Sequence, residues 1–206
     1  MKNLLSFDFS MSKPASCILF NNEYHFYAWP KDFNEKDKNL FLNAGVNIID
    51  RIPSVSLKDI MQTEIKNASN LSETIILSLK EYLTSINYVA FEGLSYGSHG
   101  NVILSLAGYR YIFQNDLSKY ISNENIYTYS PLTIKSIAGC SKKGMTKGDM
   151  IKAFIEFGPD CKFRNTLKNN PEIFQTKRAK NWVVLIDDLI DSYWAMQTMI
   201  KKENII

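Results

Sequence analysis

The sequence predicts an α/β fold: a mixed five-stranded sheet, three antiparallel strands followed by parallel ones, with helices on both faces. Two observations carry this expectation. The first thirty residues hold three short apolar strands separated by turn residues, which is the pattern of a meander. From residue 72 onward, stretches of helical periodicity alternate with short apolar strands, as in a sheet whose later strands are joined by crossover helices.

LLSFDFSM and ASCILF read as strands on either side of the Ser12-Lys13-Pro14 turn, and Glu23 to Trp29 as a third strand after Asn21-Asn22. Residues 30–70 are less regular. They hold a charged, partly helical piece near Asn34 to Asn43, an apolar VNII, and a short helix around Leu57 to Ile65, and are read as an insertion. Ser72 is placed as the N-cap of an amphipathic helix to about Ser85, with Ile75, Ile76, Leu79 and Leu83 at helical spacing. YVAFE is the next strand. The glycine-rich loop GLSYGSHG leads into a helix from about Asn101 to Leu117, then a strand at Asn125 to Tyr129. Short helices follow at Pro131 to Ala138 and at Lys147 to Phe157, the latter capped by Thr146, and a long helix runs from Asn181 to about Lys201.

At 206 residues and 45% hydrophobic content, the chain is expected to form one domain, residues 1–206, around a real core. Cys17, Cys140 and Cys161 make an odd number without CxxC spacing, so free thiols in a reducing compartment are expected. No apolar run approaches the ~20 residues of a membrane span, and the N-terminus meets Asp8 before any run of signal-peptide length. A cytoplasmic protein without membrane contact is the expectation.

Net charge is +3, but it is unevenly spread. Lys135 to Lys180 holds eleven Lys or Arg against four acids, which puts +7 there and −4 on the remainder. That asymmetry is the footprint of a polyanion partner.

Four carboxylates then stand out. In LLSFDFSM the period-2 alternation puts Leu5, Phe7 and Phe9 on one face and Leu4, Ser6, Asp8 and Ser10 on the other, so Asp8 sits mid-strand against β-propensity. Glu92 ends YVAFE beside a glycine loop, beyond the carboxyl end of a strand, where open α/β sheets place their sites. In VVLIDDLIDSYWAM, Asp188 and Asp191 lie three apart and share a face, while Asp187 and Asp191, four apart, share one too. No basic residue occurs between Asn181 and Ile200 to offset these acids, and a metal would do so. Acidic residues on two strands and one helix are what a pair of hard divalent cations needs over a phosphodiester. Whether Asp187 or Asp188 is the ligand stays open at this level.

FDFS at Asp8, FEG at Glu92, the segment SPLTIKSIAGCSKKGMTK, and DLID followed by SYWAM together resemble the signature blocks of RuvC-type Holliday junction resolvases, members of the ribonuclease H-like superfamily. The Lys, Asn and Ile richness and the long 30–70 segment look more like a phage-encoded or otherwise divergent branch of that family. The resemblance implies that Asp8, Glu92, Asp188 and Asp191 bind two Mg2+ ions per site, with Mn2+ as substitute, and it selects Asp188 over Asp187. Pro131, Lys135, Gly139 and Lys147 fit the family's third block. Lys147 is then a catalytic, phosphate-facing cation, and Lys135, Lys142 and Lys143 are further DNA contacts. Tyr96, between Gly93 and Gly97, is a candidate to stack on an unpaired base. His99 is a minor candidate for proton transfer; with His25 the only other histidine, a zinc site is not expected.

The implied activity is endonucleolytic resolution of four-way DNA junctions by paired symmetric nicks, leaving 5′-phosphate and 3′-hydroxyl ends. It also implies a homodimer, because two opposed strands need two sites, with the apolar helix VILSLAGYRYIF at the dimer contact. Two alternatives remain: a broader flap or RNA–DNA hybrid nuclease of the same fold, and a catalytically silent DNA-binding protein.

Overall fold

The structure, a computed structural model, describes residues 2–94, 101–142, 144–175, 182–183 and 185–205. It has a mixed six-stranded sheet in the order β4-β3-β2-β1-β5-β6. The strands are β1 (Leu4–Asp8), β2 (Ala15–Phe20), β3 (Glu23–Ala28), β4 (Val46–Ile48), β5 (Tyr88–Glu92) and β6 (Ile126–Tyr129). β1, β2 and β3 form the antiparallel meander, and β5 and β6 add in parallel beside β1. The sixth strand is β4, the apolar VNI of the irregular segment, which pairs in parallel with β3 and extends the sheet at its far edge.

The helices are α1 (Glu35–Asn43), α2 (Ile60–Leu83), α3 (Asn101–Leu117), α4 (Pro131–Ile137), α5 (Lys147–Phe157), α6 (Lys162–Asn169) and α7 (Ile186–Lys202). No helix among the described residues is long and apolar enough to cross a membrane. Two sequence expectations change here. The helices read at Leu57 to Ile65 and after Ser72 are one continuous helix, α2, capped by the Asp59 side chain on the Gln62 amide. Ser72 lies inside it, buried, and donates its hydroxyl to Asp116 on α3 at 2.6 Å. A serine that finds a tertiary acceptor need not end a helix. The last helix starts at Ile186 rather than Asn181, because Trp182 bridges to Gln175 in extended backbone. Helix α6 is an addition; its short amphipathic segment buries only Phe163 and Leu167.

The alternation in β1 places its residues as the sequence implies. Leu5, Phe7 and Phe9 join a core with α2 and α3, where Phe7 stacks on Phe91 and meets the edge of Phe113. Leu4 joins the opposite core, where α7 lies across the sheet with α4 and α5 beside it. The Asp8 face is therefore covered by a helix rather than by solvent. Cys17 and Cys140 are buried and Cys161 is partly buried, all as free thiols.

Candidate active site

β1 and β5 are parallel neighbours in the register Phe7↔Phe91, so Asp8 and Glu92, the next residue of each, lie side by side at the same edge of the sheet. Helix α7 crosses this edge and brings Asp191 down on them. One carboxylate oxygen from each of Asp8, Glu92 and Asp191 lies within 4.8 Å of the others. Asp188, one turn earlier on α7, interacts with Asp8 through its carboxyl group, while its Oδ2 is buried without a hydrogen-bond partner among the described residues.

Local structure holds each of these in place. Ser6, two residues before Asp8, donates its hydroxyl to the Ser192 carbonyl at 2.7 Å and ties β1 to α7. Gly93 follows Glu92, and its amide donates to the Tyr129 carbonyl at 2.7 Å. A β-carbon there would lie 3.1 Å from that oxygen, so glycine permits the close approach. Arg110, the only basic residue of α3, is buried and donates to the Glu92 carbonyl (2.9 Å) and to Thr128 Oγ1 (2.7 Å) over the Phe91 ring. Leu185 enters α7 with φ +109°, a costly conformation for a side-chain-bearing residue. That turn places Asp187 and Asp188 in the first turn of the helix, where the helix dipole favours negative charge.

The electrostatics follow from burial. Asp8 is held well above the usual carboxylate range, first by desolvation and then by Glu92, Asp188 and Asp191. Glu92 and Asp188 are raised by the same principal cause. Asp191 is pushed up to about 7 by burial and by Glu92. Carboxyl groups that resist ionisation together are a site short of positive charge. The sequence between Asn181 and Ile200 supplies no cation, but the fold supplies some. Lys147, at the start of α5, donates to Asp187 Oδ2 at 2.8 Å and stands 3.7 Å from Asp191 Oδ2. Burial disfavours the Lys147 charge, yet the ion pair with Asp187 overcomes this and raises it, while the same pairing keeps Asp187 low against the opposing effect of its own burial. Lys13, in the β1–β2 turn, is 3.8 Å from Asp188 Oδ2. Lys135 on α4 acts on Glu92 from further away.

Five carboxylates thus face three lysines, and four of the five are raised. An all-oxygen donor set, a clustered triad and a buried orphan oxygen fit hard divalent cations of the Mg2+ or Mn2+ type. Asp187 is engaged by Lys147, whereas Asp188 faces Asp8.

The structure brings Asp8, Glu92, Asp188, Asp191 and Lys147 together, with Lys135 nearby. Lys142 is exposed in the loop before α5. Tyr96, His99 and Lys143 lie outside the described residues. His25, on β3, packs against Tyr82 of α2 on the sheet face opposite the carboxylates. Three residues with a place at the site escaped sequence reasoning: Lys13, Arg110 and Trp182. Arg110 alone carried a signal, as a lone cation in an apolar helix.

No protein-family model matches the chain, and no curated protein matches its sequence. Solved structures do match. The yeast mitochondrial Holliday junction resolvase Ydc2 aligns over 97% of this chain and 78% of its own, at TM-score 0.55 and 12% identity. Thermus thermophilus RuvC aligns over 99% of this chain and 96% of its own, at TM-score 0.53 and 8% identity. The T. thermophilus RuvC structure in complex with Holliday junction substrate aligns over 100% of this chain and 96% of its own, at TM-score 0.50 and 7% identity. At these identities the likeness is one of fold: the chain has the α/β ribonuclease H-like fold in the form found in RuvC-type resolvases.

Proposed function

We propose that this chain is a divalent-metal-dependent endonuclease that resolves four-way DNA junctions by paired, symmetric nicks. The observation that carries the reading is the convergence of Asp8, Glu92 and Asp191, with the buried Asp188 oxygen that accepts no hydrogen bond among the described residues, at one edge of the sheet. A silent DNA-binding module gains nothing from carboxylates that repel a phosphate and one another. The same cluster becomes favourable once cations are held in it.

Asp8, Glu92, Asp188 and Asp191 would hold two Mg2+ ions, for which Mn2+ would substitute. When bound, such ions lower the pKa of water and stabilise charge on the phosphoryl and leaving oxygens. The remaining work falls to the protein. Its rigid strand ends and α7 fix the carboxylates without reorganisation, and Lys147 Nζ offers a charge-assisted hydrogen bond to a non-bridging phosphate oxygen. In the hydrolysis, a water oxygen bonds to phosphorus, the P–O3′ bond breaks, and the proton ends on the 3′-oxygen. The products are a 5′-phosphate and a 3′-hydroxyl. Lys135 and Lys142, in the basic 135–180 segment, extend the surface open to backbone phosphates.

A homodimer belongs to the same reading. The face formed by the start of α2 and α3 leaves Ile60, Met61, Ile65 and Leu104 exposed along a groove of about 540 Å3. Apolar surface of this kind calls for cover, and a second copy would place two active sites on opposed strands of a two-fold substrate.

The test is cleavage of a labelled synthetic four-way junction with Mg2+, Mn2+ or EDTA, beside duplex and flap controls. Metal-dependent, symmetric nicks confined to the junction are expected. Equal cutting of flaps would replace the reading with a general branch nuclease, and binding without cutting under either metal would leave a silent binder.

A further inference from the structure

Beside the carboxylates lies a smaller cavity of about 230 Å3, lined by Lys13, Lys147, Ile151, Trp182 and Asp187. Its walls are independently held. The turn bearing Lys13 is fixed by the Ser10 hydroxyl, which accepts from the Lys13 amide at 2.9 Å, and by the Ser12 carbonyl, which accepts from Lys31 at 2.8 Å. Trp182 is anchored by its bridge to Gln175 and by the adjacent Val183 amide, which donates to Phe174 at 2.7 Å. Its indole nitrogen lies 3.9 Å from where a β-carbon on Gly148 would stand, so the ring rests at the start of α5.

Trp182 differs from the other two tryptophans. Trp29 and Trp194 are buried in the two cores, whereas Trp182 is only half-buried and borders the cavity. Asp187 adds a negative group to the wall, but Lys147 neutralises it at 2.8 Å. Lys13 is held less closely, 3.8 Å from Asp188. The cavity therefore joins two ammonium groups to a flat aromatic ring, within reach of the carboxylate cluster. Ammonium groups suit a phosphodiester, and an aromatic face suits an unpaired base of any sequence. The volume is below the ~300–1,000 Å3 of pockets that enclose a whole ligand, as expected for a subsite taking one unit of a longer chain.

We propose that this cavity is a nucleotide subsite for the cleaved strand: Lys13 holds a backbone phosphate beside the scissile one that Lys147 faces, and Trp182 stacks on an unpaired base. The identity of the strand rests on the nuclease reading above, but occupancy of the subsite needs neither metal nor cleavage.

The experiment uses the full chain and four-way junctions carrying 2-aminopurine in turn at each position flanking the crossover, titrated in EDTA. Stacking quenches this base. Wild type and Trp182→Phe are expected to quench one position, and Trp182→Ala to lose the quench with about 10-fold weaker binding. Lys13→Ala should weaken binding and lower the salt dependence by about one phosphate contact. Full quench and unchanged affinity in Trp182→Ala would overturn the subsite, as would the absence of any quenched position in wild type that binds. Cleavage in Mg2+ separates the two readings. Wild type that quenches but does not cut supports the subsite and defeats the nuclease. Wild type that cuts, with KM unchanged in Trp182→Ala, defeats the subsite alone. Wild type that neither binds nor cuts defeats both.

Discussion

The Ser6 hydroxyl donates to the Ser192 carbonyl across 2.7 Å, joining the strand that carries Asp8 to the helix that carries Asp191 one residue before the contact. Both serines are fully buried. This bond and the parallel register of β1 and β5 set the spacing of the acidic triad. Ser6→Ala should lower stability by about 1 kcal/mol, the net worth of a buried neutral hydrogen bond, as read by urea unfolding. Cleavage should fall far less than in Asp8→Asn, because the carboxylates themselves remain. A loss of cleavage equal to that of Asp8→Asn would mean that this one bond alone aligns the site.

The two adjacent aspartates of α7 should separate by role. Asp188→Asn removes the carboxylate that faces Asp8 and should abolish cleavage, by roughly 10³-fold or more for a lost site charge, while junction binding in EDTA persists. Asp187→Asn leaves the acidic cluster intact and releases Lys147 from its 2.8 Å partner, so a smaller loss is expected. Single-turnover rates of the two variants decide it; the reverse order would make Asp187 the ligand.

Without divalent metal, stability should fall as pH rises. Asp191 keeps its proton up to about 7 in the folded chain, whereas an exposed aspartate loses it near ~3.9. Between these values the folded state binds the extra proton. The resulting penalty is absent below the lower value and complete above the upper one. The raised Asp8, Glu92 and Asp188 act in the same direction. Melting in EDTA should therefore occur at higher temperature at pH 5 than at pH 8. Asp191→Asn should shrink the difference. Added Mg2+ should offset more of the penalty at pH 8 than at pH 5, since cations compete there with fewer protons.

The exposed face of α3 supplies a test of assembly. Leu104 is 70% exposed and lies across the groove from Ile60, which is 79% exposed. Leu104→Glu should convert a dimer to a monomer in sedimentation velocity and turn paired nicks into single ones, without unfolding the chain. A wild-type monomer bound to junction DNA would remove the dimer from the reading.

Much of this protein was legible in its residues. The period-2 alternation of β1 assigned Asp8 to the face opposite Phe7, and the structure agrees, because side-chain direction in a strand is a local property. The three-residue spacing of Asp188 and Asp191 put both on one side of α7 for the same reason. What could not be read locally was the company these residues keep. The stretch from Asn181 to Ile200 shows acids without cations, yet Lys147 and Lys13 reach them from α5 and from the β1–β2 turn, 40 and 175 positions away. Ser72 looked like a helix cap because its acceptor, Asp116, lies on another helix. VNI became a sixth strand because β3 had an open edge, and Trp182 became a wall of the cavity because Gln175 holds it in extended backbone. Periodicity and spacing act through covalent geometry and are written along the chain. Ion pairs, strand edges and cavities form between segments distant in sequence, and only the packed structure decides them.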